Sequence, residues 1–152
     1  MKKIKFLLLA VFAVVCFTGC GADKKLVCTQ SGTESGMKNN VEVTINFSNN
    51  KASKVKMDMA YEIAAEEAKE QWDEMIGMLD GMVGGMFADK AGITFSSKED
   101  KNNYKYTATL DMDLNKMSKD TKGLLDMDMF ADEDTSYEAV KKSAEEDGFT
   151  CK

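Results

Sequence analysis

Val41-Glu42-Val43-Thr44-Ile45-Asn46-Phe47 alternates apolar and polar residues without a break. Successive side chains of an extended strand point to opposite faces. This stretch therefore offers Val41, Val43, Ile45 and Phe47 to a core and Glu42, Thr44 and Asn46 to water, the mark of a half-buried strand. Ser48-Asn49-Asn50-Lys51 follows as a hairpin turn. The next strand runs near Lys54 to Tyr61, with Val55, Met57, Met59 and Tyr61 inward. On the other side, Leu26 to Gln30 reads as a short strand, joined through the turn-rich Ser31-Gly32-Thr33-Glu34-Ser35-Gly36. Three such strands predict an antiparallel meander with one buried face.

The period then changes. Ala68, Trp72, Met75, Ile76, Leu79, Met82, Val83 and Met86 recur at helical spacing, with Glu66, Glu67, Glu70, Asp73, Glu74 and Asp80 on other faces. One long amphipathic helix is predicted from about Glu62 to about Phe87. Its second half holds Gly77, Gly81, Gly84 and Gly85, each disfavouring helix by about 1 kcal/mol relative to Ala. The apolar phase continues through Met86, so the helix is expected to stay continuous, with Gly81 close to the sheet. Trp72, Met75, Ile76 and Leu79 should face Val43, Ile45, Val55, Met57, Tyr106 and Ala108.

Two more strands follow, Ile93 to Ser97 and Tyr104 to Leu114. Ser118 is placed to cap a short helix through Leu125. Thr135 with Glu138 three residues on forms a capping box before a helix from about Ser136 to Glu146, which Gly148 ends. Phe149-Thr150-Cys151 then returns to the first strand. The expected fold class is α+β, an antiparallel β-meander of about five strands packed against one long helix, with a C-terminal helix.

The chain opens Met1-Lys2-Lys3-Ile4-Lys5, then an apolar run from Phe6 to Phe17, then Thr18-Gly19-Cys20. A spanning helix needs roughly 20 apolar residues, and this run is shorter. A charged start, a short apolar run and a small residue before cysteine resemble a bacterial lipoprotein signal peptide. The resemblance implies cleavage between Gly19 and Cys20 and a diacylglyceryl group on Cys20. It divides the chain into a signal peptide over 1–19, a membrane-proximal tether over 20–25 and a single domain over 26–152. The implied location is the outer, extracytoplasmic face of the cell membrane, with the membrane as partner through the lipid anchor.

With Cys16 removed and Cys20 lipidated, Cys28 and Cys151 remain as an even pair in an extracytoplasmic chain. A disulfide between them is the expected outcome. Two free thiols, or half of a metal site, are the other readings. With no His in the sequence, two thiolates do not complete a tetrahedral site.

The formal net charge is −6, and loss of Lys2, Lys3 and Lys5 with the signal makes the chain more acidic still. That argues against nucleic acid, which needs a basic footprint. Catalysis finds little support: no His, no Gly-x-Ser-x-Gly and no phosphate loop. No catalytic residue, cofactor or metal ligand is assigned. Two cation readings remain as alternatives. Asp126, Asp128, Asp132, Glu133 and Asp134 form an acidic run, but the spacing fails for a calcium loop, with Tyr137 where Gly is needed and Ser143 where the bidentate Glu belongs. The methionines, among them Met57, Met59, Met75, Met82, Met86, Met112, Met127 and Met129, suit a soft metal or, more simply, a core filled by thioethers.

Size, element order and the stretch Tyr137 to Lys152, ending Gly148-Phe149-Thr150-Cys151-Lys152, resemble the small bacterial lipoproteins related to YehR. The resemblance implies no assigned activity. The expected function is a membrane-anchored, non-enzymatic binding or interaction module, with an apolar ligand or an envelope protein as candidate partner. A cation-binding lipoprotein is the alternative.

Overall fold

The computed structural model describes residues 23–34, 36–124 and 135–152. Strands β1 (Lys24–Glu34), β2 (Met37–Ser48) and β3 (Lys51–Ile63) are joined in antiparallel register, Val43 pairing with Cys28 on one side and Met57 on the other. The β2–β3 turn places Asn49 and Asn50 at φ 53° and 61°. Two consecutive left-handed residues make the tight turn whose twist matches the flanking strands, and Asn tolerates that conformation. All three strands are longer than the alternation alone marked, and β1 begins at Lys24, inside the expected tether.

A helical stretch leaves the far end of β3 and runs back along the sheet. It comprises a 3-10 segment (Glu66–Gln71), α1 (Trp72–Leu79), a π turn (Asp80–Gly84) and the short α2 (Gly85–Phe87). Helix therefore starts at Glu66 and not near Glu62, because β3 keeps its pairing to β2 and β5 through that region. Strands β4 (Ile93–Asp100) and β5 (Lys105–Asp113) form a hairpin, and β5 inserts beside β3. The sheet order is β4-β5-β3-β2-β1-β6. A sixth strand, β6 (Thr150–Cys151), pairs with β1. The sheet is thus six-stranded and antiparallel, and the meander stops at β3, since the helical crossover carries the chain past the place β5 will fill.

Gly92 joins the helical stretch to β4 at φ 82°, where an added Cβ would lie 2.8 Å from the Asp113 carbonyl oxygen. Helix α3 (Lys119–Leu124) starts as expected, with the Thr121 N–H donating to Ser118 Oγ at 3.1 Å. The segment from 125 to 134, with its acidic run and Met127 and Met129, lies outside the described residues, as do residues 1–22.

Helix α4 (Tyr137–Glu146) takes Ser136 as its N-cap, one residue later than the Thr135 capping box predicts. Thr135 instead offers its carbonyl to the Ala52 N–H at 3.0 Å, tying the helix entry to β3. At its other end Gly148 adopts φ 88°, and the Phe149 and Gly148 N–H groups close on the Ala144 and Glu145 carbonyls at 3.0 and 3.2 Å. This is the left-handed stop that glycine allows.

Two apolar clusters share the covered sheet face. Leu26, Cys28, Val43, Ile45, Phe47, Val55, Leu110 and Met112 pack with Val140 and Ala144 of α4 and with Leu114 and Met117. Trp72 and Ile76 of α1 pack instead on Tyr106 and Ala108. The expected partners Val43, Ile45 and Val55 therefore belong to the first cluster and not under the long helix.

Candidate functional site

The end of the sheet where β1 begins gathers lysines. Lys24 and Lys25 open β1, Lys51 and Lys54 open β3, and the pairings Lys24–Phe47, Lys25–Asn46 and Asn46–Lys54 set them at one end. Lys24 Nζ stands 5.1 Å from the centre of the Tyr137 ring. Ser48 Oγ donates to Asp23 Oδ1 at 3.0 Å, fixing the chain just before β1 against the β2–β3 turn. Cys20 lies outside the described residues. An extended chain covers at most ~3.6 Å per residue, so Lys24 stands within roughly 14 Å of it.

Cys28 and Cys151 form a disulfide and sit directly opposite each other in the β1–β6 pair. The neighbouring pair, Val27 and Lys152, exchanges both backbone hydrogen bonds at 3.0 and 2.9 Å. Cys28 and Cys151 thus occupy the non-hydrogen-bonded position, where facing side chains come closest. A two-residue strand is held to the sheet by this bond and by Gln30, whose Nε2 donates to the Asp147 carbonyl at 3.2 Å.

The opposite sheet face is open and polar. Register aligns Ser96, Thr109, Asp58, Glu42 and Thr29 in one row and Thr94, Asp111, Lys56 and Thr44 in the next. Asp58 directly faces Glu42, a like-charge pair that destabilises a sheet unless offset. Lys56 Nζ and Thr109 Oγ1 both donate to the Asp58 carboxylate at 2.7 Å. Partial burial pushes the Asp58 carboxyl up, but these two hydrogen bonds outweigh it and hold the group below its ordinary value. Lys56 is raised in turn, chiefly by its hydrogen bond to Asp58. Beside these rows a trough of about 600 Å³ crosses β1, β2, β3 and β5, bordered by Ser31, Lys38, Asn40, Ala60, Glu62 and Thr107.

The helical stretch meets the sheet through polar pins as well as apolar contacts. Trp72 Nε1 donates to Glu99 Oε1 at 2.9 Å, and the Tyr106 hydroxyl donates to Asp80 Oδ1. Burial, then the Asp80 carboxylate, pushes the Tyr106 phenol up to about 12. Asp80 is held below the ordinary carboxyl value, first by Tyr106 and then by Ser97. Asp80 opens the π turn one helical turn after Ile76, and its exposed carboxylate reaches the Tyr106 hydroxyl. A π turn takes one residue more than an α turn, which shifts the phase of the residues after it by about 100°. Trp72, Ile76, Leu79 and Phe87 pack on the core clusters, and a Cβ built on Gly84 would lie 3.4 Å from the Phe95 ring.

Met82 and Met86 accordingly leave the core predicted for them. Met78, Met82 and Met86 are exposed at 62%, 54% and 46%. Gly81 is also outward, with open space where its Cβ would lie, so its expected close approach to the sheet belongs to Gly84. Met112 is buried, while Met57, Met59 and Met75 are half-buried against the core clusters. The spacing of Met78 from Met82 and Met86 is legible in the sequence, but only the π turn shows which way the line points. Among the described residues, no three His, Cys, Asp or Glu side chains form a group able to hold a metal ion, and no helix is long and apolar enough to cross a membrane.

This is a small α+β protein with an antiparallel sheet covered on one face by helices. No family model and no curated protein matches the chain. Among solved structures, the likeness is to the NMR structure of Escherichia coli YehR, with a TM-score of 0.61 at 12% identity over 85% of this chain and 91% of that one. A protein from Streptococcus pneumoniae TIGR4, also solved by NMR, matches with a TM-score of 0.53 at 12% identity, covering 100% of this chain and 98% of its own. At that identity the likeness is one of fold, and it bears out the YehR-like resemblance read from element order.

Proposed function

We propose that this chain is a lipid-anchored, non-enzymatic binding module on the outer face of the cell membrane. The supporting observation is where the fold begins. Strand β1 starts at Lys24, four positions after Cys20, at the end of the sheet that also carries Lys25, Lys51 and Lys54. A lipid on Cys20 would hold that end against the headgroups, where each lysine adds about 1 kcal/mol on an anionic leaflet. In a chain of net charge −6, lysines gathered at the anchored end fit a membrane-facing surface. The non-enzymatic reading rests on the lack of any His, of Gly-x-Ser-x-Gly and of a phosphate loop in the sequence.

Metabolic labelling with a fatty-acid probe tests the anchor. Label should enter the wild-type chain and vanish in Cys20→Ser, while Cys16→Ser labels normally. Continued labelling of Cys20→Ser would refute the proposal.

A further inference from the structure

The helical stretch divides its large apolar side chains between two sides. Its inward side uses Trp72, Met75, Ile76, Leu79 and Phe87, a mixture of shapes suited to packing. Its outward line uses methionine alone: Met78, Met82 and Met86, at 62%, 54% and 46% exposure and at spacings of four. Burial explains the first group and leaves the second unexplained. Every member of the exposed group carries thioether sulfur, whereas the inward group has it only at Met75.

Positions four apart on a helix bring Cβ atoms to about 6 Å, within reach of one another's flexible side chains. Each of the three methionines directly follows a glycine. Gly77, Gly81 and Gly85 all have open space at the Cβ position, so no side chain there crowds the sulfurs. The stretch from Glu70 to Phe87 contains Glu70, Asp73, Glu74 and Asp80 and no lysine; Lys69 precedes it and Lys101 pairs with Asp73 at 3.2 Å, which leaves an acidic excess that favours a cation.

We infer that Met82, with Met78 on one side or Met86 on the other, forms a surface two-thioether site for a soft monovalent cation, Cu(I) or Ag(I); Met78 and Met86, about 12 Å apart along the helix, do not share one ion. Soft sulfur ligands select such ions over Ca²⁺ or Mg²⁺. The site names a ligand class for the binding-module reading, but it stands on the helix and does not depend on the lipid anchor.

Ag(I) is the probe, because it undergoes no redox change under the conditions needed. The full-length chain carrying Cys16→Ser and Cys20→Ser, which leaves no free thiol to compete for silver, would be labelled at the methionine methyl groups, titrated in detergent with silver nitrate in chloride-free buffer and followed by NMR. The Met78, Met82 and Met86 methyl signals should shift together, while that of buried Met112 stays. The triple variant Met78→Leu, Met82→Leu, Met86→Leu keeps an apolar line and good helix formers but removes sulfur. It should bind Ag(I) at least about tenfold more weakly, and Met82→Leu alone should lose nearly as much, because Met82 belongs to both pairs. Unshifted signals at the three positions, or silver affinity unchanged in the leucine variants, would overturn the site. Either result leaves the anchor untouched, since lipid labelling at Cys20 is read separately.

Discussion

The two helical covers of the sheet are built in different ways. Helix α4 is regular from its Ser136 cap to its left-handed stop at Gly148, and it buries Val140 and Ala144 in the cluster that β1 and β2 share. The chain then docks directly through β6 and the Cys28–Cys151 bond. The stretch from Glu66 to Phe87 passes through 3-10, α and π geometry and, among the described residues, buries only Trp72 and Ile76. Hydrogen bonds from Trp72 to Glu99 and from Tyr106 to Asp80 supplement its packing. One cover is closed by apolar contact and a covalent bond. The other is pinned by side-chain hydrogen bonds at chosen points and leaves a whole side facing solvent. The lesson is that amphipathic periodicity reports burial faithfully only where helix geometry is uniform.

Breaking the covalent cover should have the largest effect. The disulfide spans a sequence separation of 123 residues. For a loop of that size the chain-entropy model gives on the order of 5 kcal/mol, and less where the reduced chain keeps residual structure. Urea titrations of oxidised and reduced protein should therefore differ by a few kcal/mol. Hydrogen exchange in the reduced protein should rise first in β6 and α4 and only later in α1. Equal stability of the two forms would mean that hydrogen bonds and packing alone hold α4, erasing the contrast.

The second effect is smaller and depends on pH. Tyr106→Phe removes the donor to Asp80 while keeping the buried ring, at a cost of about 1 kcal/mol. The sign with pH comes from the depressed Asp80 carboxyl. Its stabilising contribution is present above the ordinary carboxyl value and is lost as pH falls through the lower folded value. Wild-type stability should lose this component in acid, and Tyr106→Phe should lack it. At the alkaline end Tyr106 itself is raised from 10.0 to about 12, so it favours the folded state below about 10 and that contribution disappears as pH rises toward 12. A spectrophotometric phenol titration should find a late phase at about 12 in wild type that Tyr106→Phe lacks. If all tyrosines ionise together, the Tyr106–Asp80 pin is absent in solution.

Much of the regular cover and sheet is legible in the sequence, for local reasons. The Val41 to Phe47 alternation, the Asn49-Asn50 turn and the Gly148 stop depend on residues next to one another. The Cys28–Cys151 bond is implied by an even count in a chain with a signal-like start. The order of β4 and β5 is not legible, because alternation specifies a buried face and says nothing of which neighbour a strand finds. The π turn escapes for a related reason. Over the few turns from Trp72 to Phe87, inward positions at 72, 76, 79 and 87 and a uniform series through Met82 and Met86 differ by little in period. The contact that decides between them, Asp80 to Tyr106, is 26 residues away in sequence. Periodicity alone therefore assigns Met82 and Met86 to the core, and the methionine line appears only once the turn is seen.

The smallest effect tests whether the outward side of the long cover is as unconstrained as it looks. A helix pressed onto the sheet at Gly81 would be destabilised by an added methyl group. With open space at that position, Gly81→Ala should instead gain stability, by up to about 1 kcal/mol. The gain should be below that limit, since the propensity scale refers to α-helix and Gly81 lies in the π turn. Gly77→Ala, within α1 and equally open, should approach the full value. Thermal or urea unfolding of the two variants thus separates glycine's cost in an ordinary helix from its role in a wide turn. If Gly81→Ala destabilises while Gly77→Ala stabilises, the π turn requires glycine for its backbone, and the outward direction of Met82 and Met86 depends on it. If both stabilise, the turn is set by the Asp80–Tyr106 pin, and Tyr106→Phe should then loosen the same segment that the glycine variants firm up.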